Sequence, residues 1–229
     1  MKKYLIRFFP LYVAVVMLFL MMISFGNQVV ATIADNQPLI RQKVIIIDAG
    51  HGGEDGGAIS CTGRYESHLN LEIALRLNAV CHLLGHETKL IRQTDQAVYT
   101  TGKTLAEKKV SDLKQRVKLV NETDRGILIS IHQNTFSDDR YSGAQVFYAN
   151  TDGSKSLAEL IQQQLVQFDS SNHRRTKAAN GVYLMQHIKK PGVLIECGFL
   201  SSPIEEAKLR SEEYQKKLCC AIAVAIHSY

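Results

Sequence analysis

Four side chains in this chain have the types and settings that chemistry requires: His51, Glu66, His132 and Glu196. His51 follows the run VIIIDAG and precedes two glycines, so it sits just past a buried strand with room beside its imidazole. His132 closes a second apolar run, GILISIH. Two strand ends of one sheet can lie side by side, and Glu66, just ahead of a helix, can face the same crevice. His, Glu and His is one ligand set of catalytic zinc. Imidazole and carboxylate suit the ion, and three protein ligands leave a position for water, whose pKa falls towards ~7. Glu196 follows Val193, Leu194 and Ile195. An apolar setting disfavours its charged form and raises its pKa. That suits a group that takes a proton from water and returns it to a leaving amine.

Each residue also has a plainer reading. Glu66 is a carboxylate at a helix start, where the macrodipole favours it. His132 taken alone reads as a hydrogen-bonded core histidine, and Glu196 as one half of an ion pair. His82, His86, His173, His187 and His227 keep such structural readings. The Gly-rich turn after Asp48 does not read as a phosphate cradle. It has no Gly-Lys-Ser/Thr ending and no Gly-x-Gly-x-x-Gly opening a helix. The five cysteines, Cys61, Cys81, Cys197, Cys219 and Cys220, follow no metal or disulfide spacing. A cysteine hydrolase built on Cys61 or Cys197 with a histidine is an alternative. Against it, Cys197 directly follows Glu196 in a strand, so the two should face opposite ways.

The elements that must position these residues alternate between strand and helix, which argues for an α/β layer architecture. Strands are expected at Val44–Ile47, His86–Arg92, Gly126–His132, Gly143–Ala149, Val182–Met185 and Val193–Glu196. A helix is expected from His68 to Leu84, with Leu69, Ile73, Leu77, Val80 and Leu84 on one face and Gly85 as its stop. Thr94–Lys109 reads as a polar loop, and Ser111 as the cap of a helix running to Glu122. Further helices are expected at Ser154–Phe168, from Pro203, and from Glu212 to His227, with a basic loop at Ser170–Asn180.

The chain has 229 residues and a formal charge of +5. Lys2, Lys3 and Arg7 precede residue 41 against a single acid, Asp35, so the rest carries about +3. That is too mild to argue for nucleic acid, though compatible with an anionic polymer. Phe8–Phe25 has no charged residue and is just long enough to cross a bilayer, with its basic flank inside. Val29-Val30-Ala31 offers a signal-peptidase site, so a cleaved signal is the alternative. Either way the domain is expected outside the cytoplasmic membrane. The organisation read is residues 1–26 anchor or signal, 27–42 linker and 43–229 catalytic domain.

The motifs DAGHGG, RYESHLNL, SIHQN and IECGFLS, in that order, resemble the zinc-dependent N-acetylmuramoyl-L-alanine amidases of the type 3 catalytic domain. The resemblance spans Lys43–Tyr229. It implies a single domain around a mixed, roughly six-stranded sheet flanked by helices. It implies zinc (Zn2+) held by His51, Glu66 and His132, with Glu196 as acid/base. The reaction implied is hydrolysis of the amide between N-acetylmuramic acid and L-alanine in peptidoglycan. The departures are Ser67 where lysine is common, Gln133 where alanine is usual, and Ser202 where asparagine is usual. Gln133, expected beside the metal, bears on substrate preference. Arg92 and Asn134 match family positions and are expected to support the site or touch substrate. RTKAANGVYLM resembles the subgroup that prepares spore-cortex peptidoglycan for muramic-δ-lactam formation, which would place the domain in the forespore intermembrane space. With the chain stopping at Tyr229, the N-terminal segment or an activating protein partner is expected to bring it to its substrate. The remaining alternatives are a zinc carboxypeptidase or deacetylase on the same polymer, and a non-catalytic wall-binding module.

Overall fold

A computed structural model describes residues 16–22 and 43–229. Residues 16–22 are helical. The rest of the expected anchor or signal segment, and the linker, lie outside the described residues. Among the described residues no helix is long and apolar enough to cross a membrane.

The first buried run becomes strand β1 (Val44–Ala49), followed by helix α1 (Glu66–Leu83) and β2 (Glu87–Leu90). Then come α2 (Leu105–Glu122), β3 (Gly126–Asn134), β4 (Gln145–Tyr148), α3 (Ser154–Phe168) and β5 (Lys177–Ala178). The chain closes with α4 (Tyr183–His187), β6 (Gly192–Phe199), α5 (Pro203–Arg210) and α6 (Glu212–Ser228). The strands form one sheet in the order β2-β1-β3-β6-β4-β5. β2, β1, β3 and β6 run parallel, and β4 runs antiparallel to β6 with β5 parallel to β4. This is the mixed six-stranded sheet that the family resemblance implied.

Both faces of the sheet are covered, which is why its central strands read as unbroken apolar runs rather than as alternation. Ile45 and Ile47, Ile127, Ile129 and Ile131, and Val193, Ile195 and Cys197 face one side. There they pack on Leu69, Ile73 and Leu77 of α1, Leu157 and Ile161 of α3, and Leu218 and Ile222 of α6. Ile46, Leu128 and Leu194 face the other side, with Val120 of α2 and Leu184 and Met185 of α4. The second cluster is much the smaller, and polar groups occupy the rest of that face.

Three local expectations are corrected. Helix α1 buries Cys81, while Leu84 is its exposed C-cap, because the last turn rotates off the core as Gly85 takes a φ of 82°. Helix α2 begins six residues before Ser111. Thr104 and Glu107 form a reciprocal capping box, and the Ser111 hydroxyl accepts the N–H groups of Thr100 and Thr101 instead. Val182–Met185 is not a strand. It opens the short helix α4, and the edge strand is Lys177–Ala178, within the expected loop. A four-residue apolar run does not distinguish helix from strand by periodicity alone.

Candidate metal centre and active site

The site forms at the carboxyl ends of β1, β3 and β6. The chain leaves β1 through Gly50, and His51 takes a φ of 61°. A side chain in that region costs about 1–3 kcal/mol and persists only where the surroundings impose it. Two buried arginines do so. Arg116 ion-pairs with Asp48 and donates to the carbonyls of Ala49 (3.0 Å) and His51 (2.7 Å). Arg92 donates to the carbonyls of Ala49 (2.8 Å), Gly50 (3.0 Å) and Ser67 (2.8 Å). Arg92 thus braces the loop that carries His51. Ser130 on β3 donates to Asp48 at 2.7 Å and completes the brace.

Glycine is required at two places by close approach. A Cβ on Gly50 would stand 2.2 Å from the His132 ring. One on Gly57 would stand 2.6 Å from Glu66 Oε2 and 2.7 Å from His51 Cδ2.

His51, Glu66 and His132 each present a donor atom within 4.8 Å of the others, so this trio can hold a metal ion. Glu66 Oε1 lies 3.0 Å from His132 Nδ1, and its Oε2 lies 3.3 Å from His51 Nε2. Glu66 also accepts from the Ala58 N–H (3.0 Å), the Gln133 N–H (3.1 Å) and Asn70 Nδ2 (3.1 Å). The other His51 nitrogen, Nδ1, is 3.0 Å from Asp55 Oδ2. Two imidazoles and one carboxylate are nitrogen and oxygen donors of the kind zinc takes, and a carboxylate behind a ligating histidine fixes its tautomer.

The two glutamates of the site are driven in opposite directions. Burial works against ionisation of Glu66, but hydrogen bonds to His132 and His51 and their charges hold its carboxyl far below the usual range. Burial pushes Glu196 up to about 7, against the opposing pull of His132. Burial also opposes charge on His51, yet Asp55 and Glu66 raise it to about 9. Two carboxyl groups set apart in this way are suited to different tasks, one that stays ionised and one that can exchange protons near neutrality.

Glu196 stands opposite His132 in the β3–β6 register, so both side chains rise from the same face. Its Oε2 is buried without a hydrogen-bond partner. That argues against the plain ion-pair reading. Cys197 points the other way, into the larger core. Burial raises its thiol well above the ordinary value, and the sulfur lies 3.8 Å from the Ile195 carbonyl. Cys61 is exposed.

Gln133 stands beside the candidate metal donors through its backbone N–H, which donates to Glu66, and not through its side chain. That side chain is 3% exposed and donates to Asn70 Oδ1 at 3.2 Å, on the α1 side of the sheet. Its neighbour His132 has the opposite parity and takes the site side. Sequence reasoning missed Asp55, Asn70 and Arg116. The first two carried a signal: Asp55 stands four residues past His51, and Asn70 one turn past Glu66. Arg116 carried none, since it lies 68 residues from Asp48.

The chain matches a family model described as N-acetylmuramoyl-L-alanine amidase over residues 45–228. It is 38% identical over 190 residues to a germination-specific N-acetylmuramoyl-L-alanine amidase of Bacillus subtilis, covering 82% of this chain and 79% of that one. Among solved structures it resembles the CwlD amidase of Clostridioides difficile, determined in complex with the GerS lipoprotein. That match has a TM-score of 0.78 at 38% identity and covers 82% of this chain and 98% of that one. An N-acetylmuramoyl-L-alanine amidase from Clostridium difficile matches with a TM-score of 0.70 at 34% identity, over 82% and 96% of the two chains. The chain belongs to the N-acetylmuramoyl-L-alanine amidase family.

Proposed function

We propose that this amidase holds zinc between His51, Glu66 and His132 and uses Glu196 as its acid/base in cutting the bond between muramic acid and L-alanine. The observation that carries the reading is the partnerless, buried Oε2 of Glu196 beside a converging set of three metal donors. Zinc bound there supplies Lewis acidity to the scissile carbonyl and brings the pKa of water into the neutral range. The protein supplies the rest. Asp55 orients His51, and the Ala58 and Gln133 N–H groups with Asn70 fix the Glu66 carboxylate. Glu196 takes the proton of the attacking water and returns it to the departing alanine nitrogen. A carboxyl near 7 both accepts and releases protons close to neutrality.

The names of two relatives support a spore-cortex setting and a protein partner, and the uncharged N-terminal run with its basic flank is the basis for the membrane attachment. The Bacillus subtilis relative is named germination-specific, and the Clostridioides difficile structure holds its amidase with a lipoprotein. In this reading the chain acts on spore-cortex peptidoglycan outside the cytoplasmic membrane, held there by its N-terminal segment and aided by a protein partner. The decisive experiment is mass spectrometry of products from purified muropeptides, with and without chelator. Free stem peptides with intact N-acetylmuramic acid, lost on chelation and restored by zinc, support the reading. Loss of a terminal amino acid or of acetate instead would identify a carboxypeptidase or a deacetylase. For the setting, spores lacking the gene should contain no muramic-δ-lactam. Normal lactam content would remove the cortex assignment.

A further inference from the structure

The row of side chains that contains His132 and Glu196 extends one strand further, to Gln145. Gln145 of β4 stands opposite Glu196 in register, so it rises from the same face. It is buried, and its Nε2 donates to the Arg175 carbonyl at 2.7 Å. The segment that follows α3 is thereby fastened to the end of the catalytic row. Asn172 fastens it again, donating to the Ala144 carbonyl (2.9 Å) and accepting from the Arg174 N–H (3.0 Å).

These ties fix Arg174. Its Nε donates to the Ser142 carbonyl at 3.0 Å. Its guanidinium lies over the rings of Phe199 (4.9 Å) and Tyr141 (5.5 Å). Arg174 lines an open groove of about 500 Å³. Among the described residues no carboxylate pairs with it. The acid in the same groove, Asp138, is engaged by Arg140 at 2.6 Å. A guanidinium stacked on ring faces keeps its terminal N–H edge for a ligand, and that edge matches a carboxylate bidentately.

We infer that Arg174, braced by Tyr141 and Phe199, forms a subsite for a free carboxylate on the stem peptide, beyond the alanine whose bond is cut. The inference rests on the amidase reading and names the part of the substrate that selects it. The distance suits this occupant. Strands lie about 4.8 Å apart, so Gln145 is about 10 Å from His132 along the row. An extended peptide covers that in about three residues. Arg174 lies at that end of the row, next to Arg175, whose carbonyl Gln145 holds, and over Phe199, which pairs with Asn134 two residues past His132. A stem running that way would bring its second or third residue to the groove, and the positive charge there would select peptides whose carboxyl groups at those residues are free.

The test uses the zinc-loaded full chain and two synthetic N-acetylmuramoyl tetrapeptides. One has free carboxylates at its second and third residues, and its twin has carboxamides there. Arg174→Gln is expected to raise KM for the acidic substrate roughly 10–100-fold, with kcat within about twofold. On the twin, Arg174→Gln and the parent should be indistinguishable. Arg174→Lys, which keeps the charge but not the fork, should recover part of the loss. No loss with Arg174→Gln, an equal loss on both substrates, or no recovery with lysine would each overturn the inference. Calorimetric titration of the free tetrapeptides needs no turnover and separates the two readings. If neither substrate is cut, the amidase reading fails. The subsite still stands if the parent favours the acidic peptide and Arg174→Gln does not, and it falls if the two bind alike.

Discussion

The two faces of the sheet differ in what their residues do. One face carries the larger core, where Ile45, Ile129, Ile195 and their helix partners are all but inaccessible to solvent. The other carries a short apolar cluster and then Asp48, Ser130, His132, Glu196 and Gln145 in adjacent register positions. Adjacent residues of the same strands therefore serve opposite ends: Ile131 packs while His132 offers one of the three candidate metal donors, and Cys197 packs while Glu196 rises on the site side. The difference teaches that the fold draws its stability chiefly from one side and spends part of it on the other. A partnerless buried carboxyl and a histidine at positive φ are both tolerated because the opposite face holds the strands in place.

The contrast breaks first at Glu196. Glu196→Gln is nearly isosteric but cannot take a proton, so kcat should fall about 10²–10⁴-fold while zinc content stays that of the parent. Near-normal turnover in a folded, metal-loaded variant would remove its role. The opposite face gives the complementary result. Ile129→Ala leaves a cavity at a fully buried position and should cost about 2–5 kcal/mol by denaturant unfolding, with activity per folded molecule unchanged. A large loss of kcat there would mean the faces are not separable.

Asp55→Asn probes the support behind the metal donors. It removes the carboxylate that holds His51 Nδ1, and zinc affinity measured against a competing chelator should fall about 10–100-fold. Unchanged affinity would reduce Asp55 to a surface partner of Lys109.

The smallest effect sharpens the comparison by its sign. The folded-state pKa of Glu196 is raised from 4.5 to about 7, so the fold binds that proton more tightly than the unfolded chain. Below the unfolded value the group has no net effect. Between about 4.5 and 7 its ionisation costs the fold progressively more, and above 7 the full cost is present. In metal-free protein Glu196→Gln should therefore be more stable than the parent by roughly 1–3 kcal/mol at pH 8, with the difference vanishing near pH 4. Equal stability at pH 8, or a larger gain in acid, would show that Glu196 is not held in a desolvated site.

Local sequence made the frame legible. The β-branched runs of β1 and β3, the helical spacing of Leu69, Ile73 and Leu77, and the glycines after Asp48 each report their own few residues. The helix starts within Thr94–Lys109 and Val182–Met185 are not legible in this way. Short or polar stretches carry little periodicity, and there capping and edge pairing decide.

By itself the sequence determined the layer architecture, the strand ends at which His51 and His132 emerge, and the residue types that converge on the site. Those rest on side-chain periods of 2 and 3.6 and on conformations open only to glycine, all of which are local. Tertiary structure alone decided that Gln133 turns to Asn70, that Arg116 braces a loop 65 residues away, and that Gln145 ties Arg174 to the catalytic row. It also decided that two glutamates of one site titrate in opposite directions. Hydrogen-bond partners distant in sequence and the loss of water around a charge exist only once the chain has closed on itself.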